Sequence, residues 1–300
     1  MTYEQLLEKT ALENENVVVM TAENRALVRN LPAKLGERFI DTGITEQTMI
    51  GAAAGLALRG RIPVVHALSA FLSMRAFEFI RTSVGIAGLP VKLSSFIPGF
   101  LSDGNGPTHQ AIEDVSIMRG IPTMEVFAPA DEQDLVQMLP QIWASSNPSY
   151  VRINMRPATY QHEAFQWGKA EWCFRGKDVT LLTYGFMFEE TLKARQILQE
   201  KGLEVGLVNV RSLKPFDTEL VNQLALETSQ IITIEDHFEV GGLFSILSEY
   251  LIKNGIQLKL HPISLQDKWF KPGRLEEVMA YHEMNAAGLV NQIEKLVSKK

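Results

Sequence analysis

The chain contains a single cysteine, Cys173. That excludes an intrachain disulfide and a cysteine-built metal cluster, and leaves the thiol to act as a small buried hydrophobe. No stretch of eighteen uninterrupted apolar residues occurs, so no membrane-spanning helix is expected. The start, Met1-Thr2-Tyr3-Glu4-Gln5, has no basic region leading into an apolar run, so no secretory signal is read there. Basic residues are not in excess. Lys and Arg number 29 against 35 Asp and Glu, a net charge of −6, which weighs against a nucleic-acid partner. There is no low-complexity tract and no short-period repeat. These absences point to a soluble cytoplasmic protein. What is present, 300 residues of which 46% are hydrophobic and 21% charged, is enough for one large or two ordinary domains with packed cores.

Short apolar runs alternate with helix-length segments. Val17-Val18-Val19-Met20, Ile62-Pro63-Val64-Val65, Val91-Lys92-Leu93 and Met124-Glu125-Val126-Phe127 read as buried strands of a parallel sheet covered on both faces. Helices are expected at Thr2 to Glu13, Thr45 to Leu58, Arg75 to Gly85 and Asp131 to Ala144, the last capped by Asp131. After a weakly periodic stretch the same alternation resumes. Val179 to Gly185, Val205 to Val210, Ile231 to Ile234 and Gln257 to Leu260 read as strands. Helices are expected at Glu189 to Lys201, Thr218 to Leu226, after Gly241-Gly242, and at Ala286 to Val297. The fold class is therefore α/β, with two doubly wound domains of mostly parallel sheets, 1–160 and 178–300, joined by a linker at 161–177.

Three stretches carry chemistry. The first is Asp41-Thr42-Gly43-Ile44-Thr45-Glu46-Gln47-Thr48-Met49-Ile50-Gly51-Ala52-Ala53-Ala54-Gly55-Leu56. A polar turn runs into a helix of very small residues, which let a backbone or flat ligand approach closely. If Thr45 caps that helix, Glu46 opens it. The helix dipole favours a carboxylate there and burial opposes it, so Glu46 is either a simple dipole-complementing acid or a tuned proton partner. The second stretch follows the Ile62 strand, where Phe71, Met74 and Phe77 recur on roughly one helical face. Such a stripe suits a core or a stacked aromatic ring. Arg75 and Arg81 in this segment suit solvent, a partner or a substrate phosphate. The third is Gly99-Phe100-Leu101-Ser102-Asp103-Gly104-Asn105-Gly106-Pro107-Thr108-His109-Gln110, a turn-rich loop ending near a helix expected to begin at about Gln110.

Taken together, these words resemble the pyrimidine-binding half of transketolases, within the thiamine diphosphate enzymes. Residues 209–217 and 234–243 resemble the transketolase C-terminal domain. In that family the glutamate hydrogen-bonds a ring nitrogen of the cofactor's aminopyrimidine and activates the thiazolium carbon by acid–base chemistry. The resemblance implies that role for Glu46. It implies a ring pocket of Phe71, Met74, Phe77 and Ile44, although Met74 stands where relatives often have another aromatic. Gly-Pro-Thr-His-Gln resembles the substrate-facing histidine loop, which implies that His109 binds ketose hydroxyls and assists proton transfer. Asn105 replaces an acidic residue usual in transketolases, with Asp103 nearby to compensate in part. The upstream histidine that many transketolases carry is absent from Ser95-Phe96-Ile97-Pro98. Arg152 resembles the arginine used on the substrate phosphate, with Arg156 competing and an ordinary ion pair equally expected.

The metal-binding Gly-Asp-Gly…Asn word of this superfamily is missing. Holding a diphosphate without a divalent ion is electrostatically costly. The resemblance therefore implies a split transketolase. A partner N-terminal subunit would bring the diphosphate site and its Mg or Ca ion, in an α2β2 heterotetramer acting on sugar phosphates. Rival readings are the beta subunit of a 2-oxoacid dehydrogenase, a deoxyxylulose phosphate synthase-like enzyme, and a scaffold subunit that has lost catalysis.

Overall fold

The computed structural model describes residues 1–298, except for the side chain of Asp103. The first half of the chain runs α1 (Tyr3–Glu13), β1 (Val17–Thr21), α2 (Pro32–Leu35), β2 (Phe39–Asp41), α3 (Glu46–Leu58), β3 (Ile62–Leu68), α4 (Phe77–Phe79), β4 (Lys92–Phe96), α5 (Asp114–Arg119), β5 (Glu125–Phe127), α6 (Glu132–Ala144) and β6 (Ser149–Ile153). The second half runs β7 (Glu171–Phe174), β8 (Val179–Thr183), α7 (Met187–Glu200), β9 (Val205–Asn209), β10 (Ser212–Lys214), α8 (Thr218–Glu227), β11 (Gln230–Phe238), α9 (Leu243–Asn254), β12 (Lys259–Leu265), α10 (Leu275–Tyr281) and α11 (Ala286–Val297).

Two sheets result, with strand orders β10-β5-β6-β4-β3-β1-β2 and β12-β11-β8-β9-β7. Their central strands pair in parallel, and β10 and β7 are antiparallel edges. Every residue of β1, β8 and β9 is buried, as expected for strands covered on both faces. Local signals set the helix starts. Thr2 and Gln5 form a capping box on α1, and the Asp131 carboxylate accepts the Asp134 N–H at 2.9 Å. Among the described residues no helix is long and apolar enough to cross a membrane.

Several expectations need correction. The stretch 161–177 is not structureless, because it carries β7, an edge strand of the second sheet. Cys173 lies on β7 partly buried against the second core, and burial pushes its thiol up. The helix expected from about Gln110 begins at Asp114, because Gly99 N–H and Ala111 O pair at 2.9 Å and hold residues around Ala111 extended. The helix expected over Arg75 to Gly85 is interrupted by wide turns at Phe71–Arg75 and Ile80–Gly85. The last strand begins at Lys259 rather than Gln257.

The two halves are tied together by polar groups that the domain reading did not anticipate. Arg152 of β6 is buried between Asp114 of α5 and Asp236 of β11. Its Nε lies 2.9 Å from Asp114 Oδ2 and its Nη1 2.8 Å from Asp236 Oδ1. Gly99, at φ +60°, is required beside this contact, since an added Cβ would lie 1.5 Å from Asp236 Oδ2. His237 is buried against α5 and accepts the Ser116 N–H at 3.3 Å.

A second tie forms around His162. Its Nδ1 lies 2.7 Å from Glu171 and its Nε2 2.9 Å from Asp131. Arg211 pairs with Asp134 at 3.2 Å and also with Glu171. Burial alone would push the His162 imidazole down, but hydrogen bonds from Asp131 and Glu171 carry it up to about 9 from the usual 6.5. The folded chain thus holds this proton more tightly than the unfolded one. The stabilisation is complete below about pH 6.5 and is lost as pH rises through about 9. Thermal melts across pH 6 to 10 should show a wild-type midpoint that falls relative to that of His162→Gln. Parallel curves for the two proteins would refute the charge assignment.

Candidate active site

A cleft of about 750 Å³ opens beside the C-terminal ends of β1 and β3, where ligands bind in open α/β sheets. Residues from the turn after β1, the start of α3, the segment after β3 and the His109 turn meet there. Its walls include Arg25, Arg29, Ile44, Glu46, Phe71, Arg75 and His109.

Glu46 is the first residue of α3 and is only 2% exposed, so its carboxylate is fixed by the fold rather than by solvent. Thr45 precedes it without capping the helix, its hydroxyl donating instead to Thr42 O at 2.8 Å. Asp41 organises the turn. One oxygen accepts the N–H groups of Glu23 and Gly43, each at 3.0 Å. The other accepts Arg25 Nε at 2.8 Å and Nη2 at 2.6 Å. Burial pushes the Asp41 carboxyl up, but the Gly43 N–H, the Arg25 guanidinium and the Glu23 N–H together outweigh it and hold the group below its usual value.

The segment after β3 makes a wide turn in which Ala76 N–H reaches back to Phe71 O at 3.0 Å. Such π-type turns insert a residue and reorient the side chains around them. Here Phe71 and Arg75 both reach the cleft. Arg75 Nη1 donates to both Glu46 oxygens, at 3.1 and 3.0 Å, and its guanidinium carbon lies 3.9 Å from the Phe71 ring centroid. The Phe71 and His109 rings meet edge-on at 5.0 Å. His109 Nδ1 is 2.8 Å from Thr108 Oγ1, which leaves Nε2 for another partner. Gly106, at φ +69°, closes the turn that carries His109. An added Cβ there would sit 3.1 Å from Pro272, so the second domain backs this turn.

The cleft thus brings together Glu46, Ile44, Phe71 and His109, which were singled out from the sequence. It does not bring in Met74, Phe77, Asn105 or Arg152. Met74 faces outward, 36% exposed, and Phe77 packs against the main core, because the wide turn breaks the regular helical stripe. Asn105 is exposed and is not among the cleft walls, with its amide 3.5 Å from Ser102 Oγ. The Asp103 side chain lies outside the described residues. Arg152 is saturated by two buried carboxylates and has no face left for a substrate phosphate. Arg156 pairs with Glu189 at 2.8 Å.

Sequence reasoning missed Arg25 and Arg29 altogether and read Arg75 mainly as surface. The one available signal for the first pair was position, since Thr-Ala-Glu-Asn-Arg directly follows a buried strand. The donor set suits an aminopyrimidine. A buried carboxylate sits beside an aromatic face, and the planar, N–H-bearing Arg75 guanidinium already makes both contacts. Among the described residues no cluster of three His, Cys, Asp or Glu side chains could hold a metal ion.

Comparison with known proteins bears on this site. Residues 1–158 match the transketolase pyrimidine-binding domain and residues 168–289 the transketolase C-terminal domain. The chain is 36% identical to the 6-deoxy-6-sulfo-D-fructose transketolase subunit of Clostridium sp. (strain MSTE9), a match covering 100% of this chain and 94% of that protein. It is 32% identical to a putative transketolase C-terminal section of Methanocaldococcus jannaschii, over 99% and 96% of the two chains. A solved split-gene transketolase, an inactive β4 tetramer, superposes with a TM-score of 0.90 at 30% identity, over 99% of this chain and 97% of that one. The chain belongs to the transketolase family and carries the pyrimidine-binding and C-terminal domains of a split transketolase.

Proposed function

We propose that the chain works with a separate subunit that supplies a diphosphate-binding, Mg- or Ca-bearing half-site. Together they would transfer a two-carbon ketol unit from a ketose to an aldose. The observation that carries this reading is the pairing of buried Glu46 with the Phe71 face in a cleft that His109 also walls. Thiamine diphosphate, when bound, supplies a carbon nucleophile that can hold the ketol unit between donor and acceptor.

Each residue then has a definite task. Glu46 would hold or release a proton at a ring nitrogen of a bound aminopyrimidine, and its burial would keep water from competing for that proton. Phe71 orients the ring by stacking. His109 offers its free nitrogen to sugar hydroxyls and to the proton that moves as the carbon–carbon bond breaks. A phosphate or sulfonate on the sugar would find Arg29 in the cleft wall, with Arg25 beside it, half exposed although paired with Asp41, whereas Arg152 is buried between two carboxylates. Two copies of each subunit, α2β2, is the natural closed assembly for sites shared between chains.

The test is reconstitution. The chain is mixed with a candidate diphosphate-binding section, Mg and thiamine diphosphate, and products are followed from phosphorylated and sulfonated ketoses with an aldose acceptor, and separately from pyruvate. Transfer is expected only with both subunits present. Transfer by this chain alone, or decarboxylation of pyruvate without ketol transfer, would overturn the reading. The second outcome would favour a 2-oxoacid dehydrogenase or a deoxyxylulose phosphate synthase-like activity.

A further inference from the structure

We propose that Arg75 is a positioning residue that acts through Glu46: its guanidinium holds the carboxylate in the ring slot and gives way when the aminopyrimidine enters. The proposal rests on the reading of the cleft as a thiamine diphosphate half-site.

The geometry is that of a stand-in. Arg75 donates to both Glu46 oxygens and lies over the Phe71 ring at 3.9 Å, so it makes the hydrogen-bonding and the stacking contact at once. A guanidinium and an aminopyrimidine are both flat, both carry N–H donors and both stack on an aromatic face. They cannot hold the same carboxylate and the same ring face together. Which partner moves follows from exposure. The Glu46 side chain is 2% exposed and sits at the start of a helix, whereas the Arg75 side chain is 38% exposed on a flexible stem. Arg75 can return to water, but Glu46 cannot. Without Arg75, a nearly buried carboxylate would stand unpaired, which is costly. Arg75 therefore keeps the slot shaped in the chain by itself, and its displacement weakens net cofactor binding.

The sequence supports this division of labour. Arg75 lies four residues after Phe71, a spacing that places both side chains on one side of the turn.

Thiamine diphosphate is titrated calorimetrically, with Mg, into the two-subunit complex of wild type, Arg75→Met and Arg75→Lys. Melting of each chain is recorded without cofactor. Arg75→Met is expected to bind roughly fivefold to tenfold more tightly and to melt lower than wild type when cofactor is withheld. Arg75→Lys keeps the charge but loses the flat fork, so it should fall between the two. Unchanged or weaker binding by both variants, against normal wild-type binding, overturns this proposal alone. It would mean that Arg75 contacts the cofactor or is indifferent to it. Failure of the wild-type complex to bind any thiamine diphosphate overturns the functional reading and this proposal with it.

Discussion

Glu46→Gln is expected to fold like the wild type and to lose ketol transfer by about 10²–10⁴-fold in the reconstituted complex. Glutamine has nearly the same volume and still offers a hydrogen bond, so the slot beside Phe71 is kept. It cannot carry the proton that a carboxylate exchanges with a ring nitrogen. The stability cost should be small. The carboxylate's partner, Arg75, has its side chain 38% exposed and can turn to solvent when the charge is removed. Circular dichroism melts separate folding from chemistry, and a coupled transfer assay reads the rate. A rate within threefold of wild type, in a complex that still requires thiamine diphosphate, would remove Glu46 from the chemistry.

Arg152→Met is expected to do the opposite, striking stability first. Removing one partner from a buried, paired charge typically costs about 3–5 kcal/mol, because the remaining charges are stranded. Here two carboxylates, Asp114 and Asp236, would be stranded at the seam between the two halves of the chain. Ala111 O would also lose a donor, since it accepts from Arg152 at 3.5 Å, and Asp114 would keep only the Tyr150 hydroxyl at 2.8 Å from this network. The denaturation midpoint should drop, and Asp236→Asn added to Arg152→Met should recover part of the loss. Michaelis constants for phosphorylated and unphosphorylated ketoses, measured below the new midpoint, should move together or not at all. A selective rise for the phosphorylated sugar at unchanged stability would return Arg152 to substrate recognition.

The difference between Glu46 and Arg152 shows what was legible in the sequence. Glu46 sits where a local signal put it, at the junction of a polar turn and a helix of small residues, and local signals survive folding. β1, β8 and β9 were legible for the same reason, since they are apolar runs buried on both faces. Arg152 lies on β6, and its partners are far along the chain, at 114 and 236. No periodicity encodes that distance. The wide turn at Phe71–Arg75 was illegible too, because a π-type insertion leaves the composition unchanged while Arg75 lines the cleft and Met74 does not. β7 and β10 are short edge strands whose pairing comes from tertiary context rather than from alternation.

The placement of β10 reaches beyond the site. This strand comes from the second half of the chain, yet it closes the outer edge of the first half's sheet against β5. Ending the chain near residue 160 would strip that border and leave a row of backbone donors and acceptors open to any neighbouring molecule. Aggregation, rather than a tidy half-enzyme, is the expected outcome of such a truncation, because the first sheet borrows its last strand from the second half.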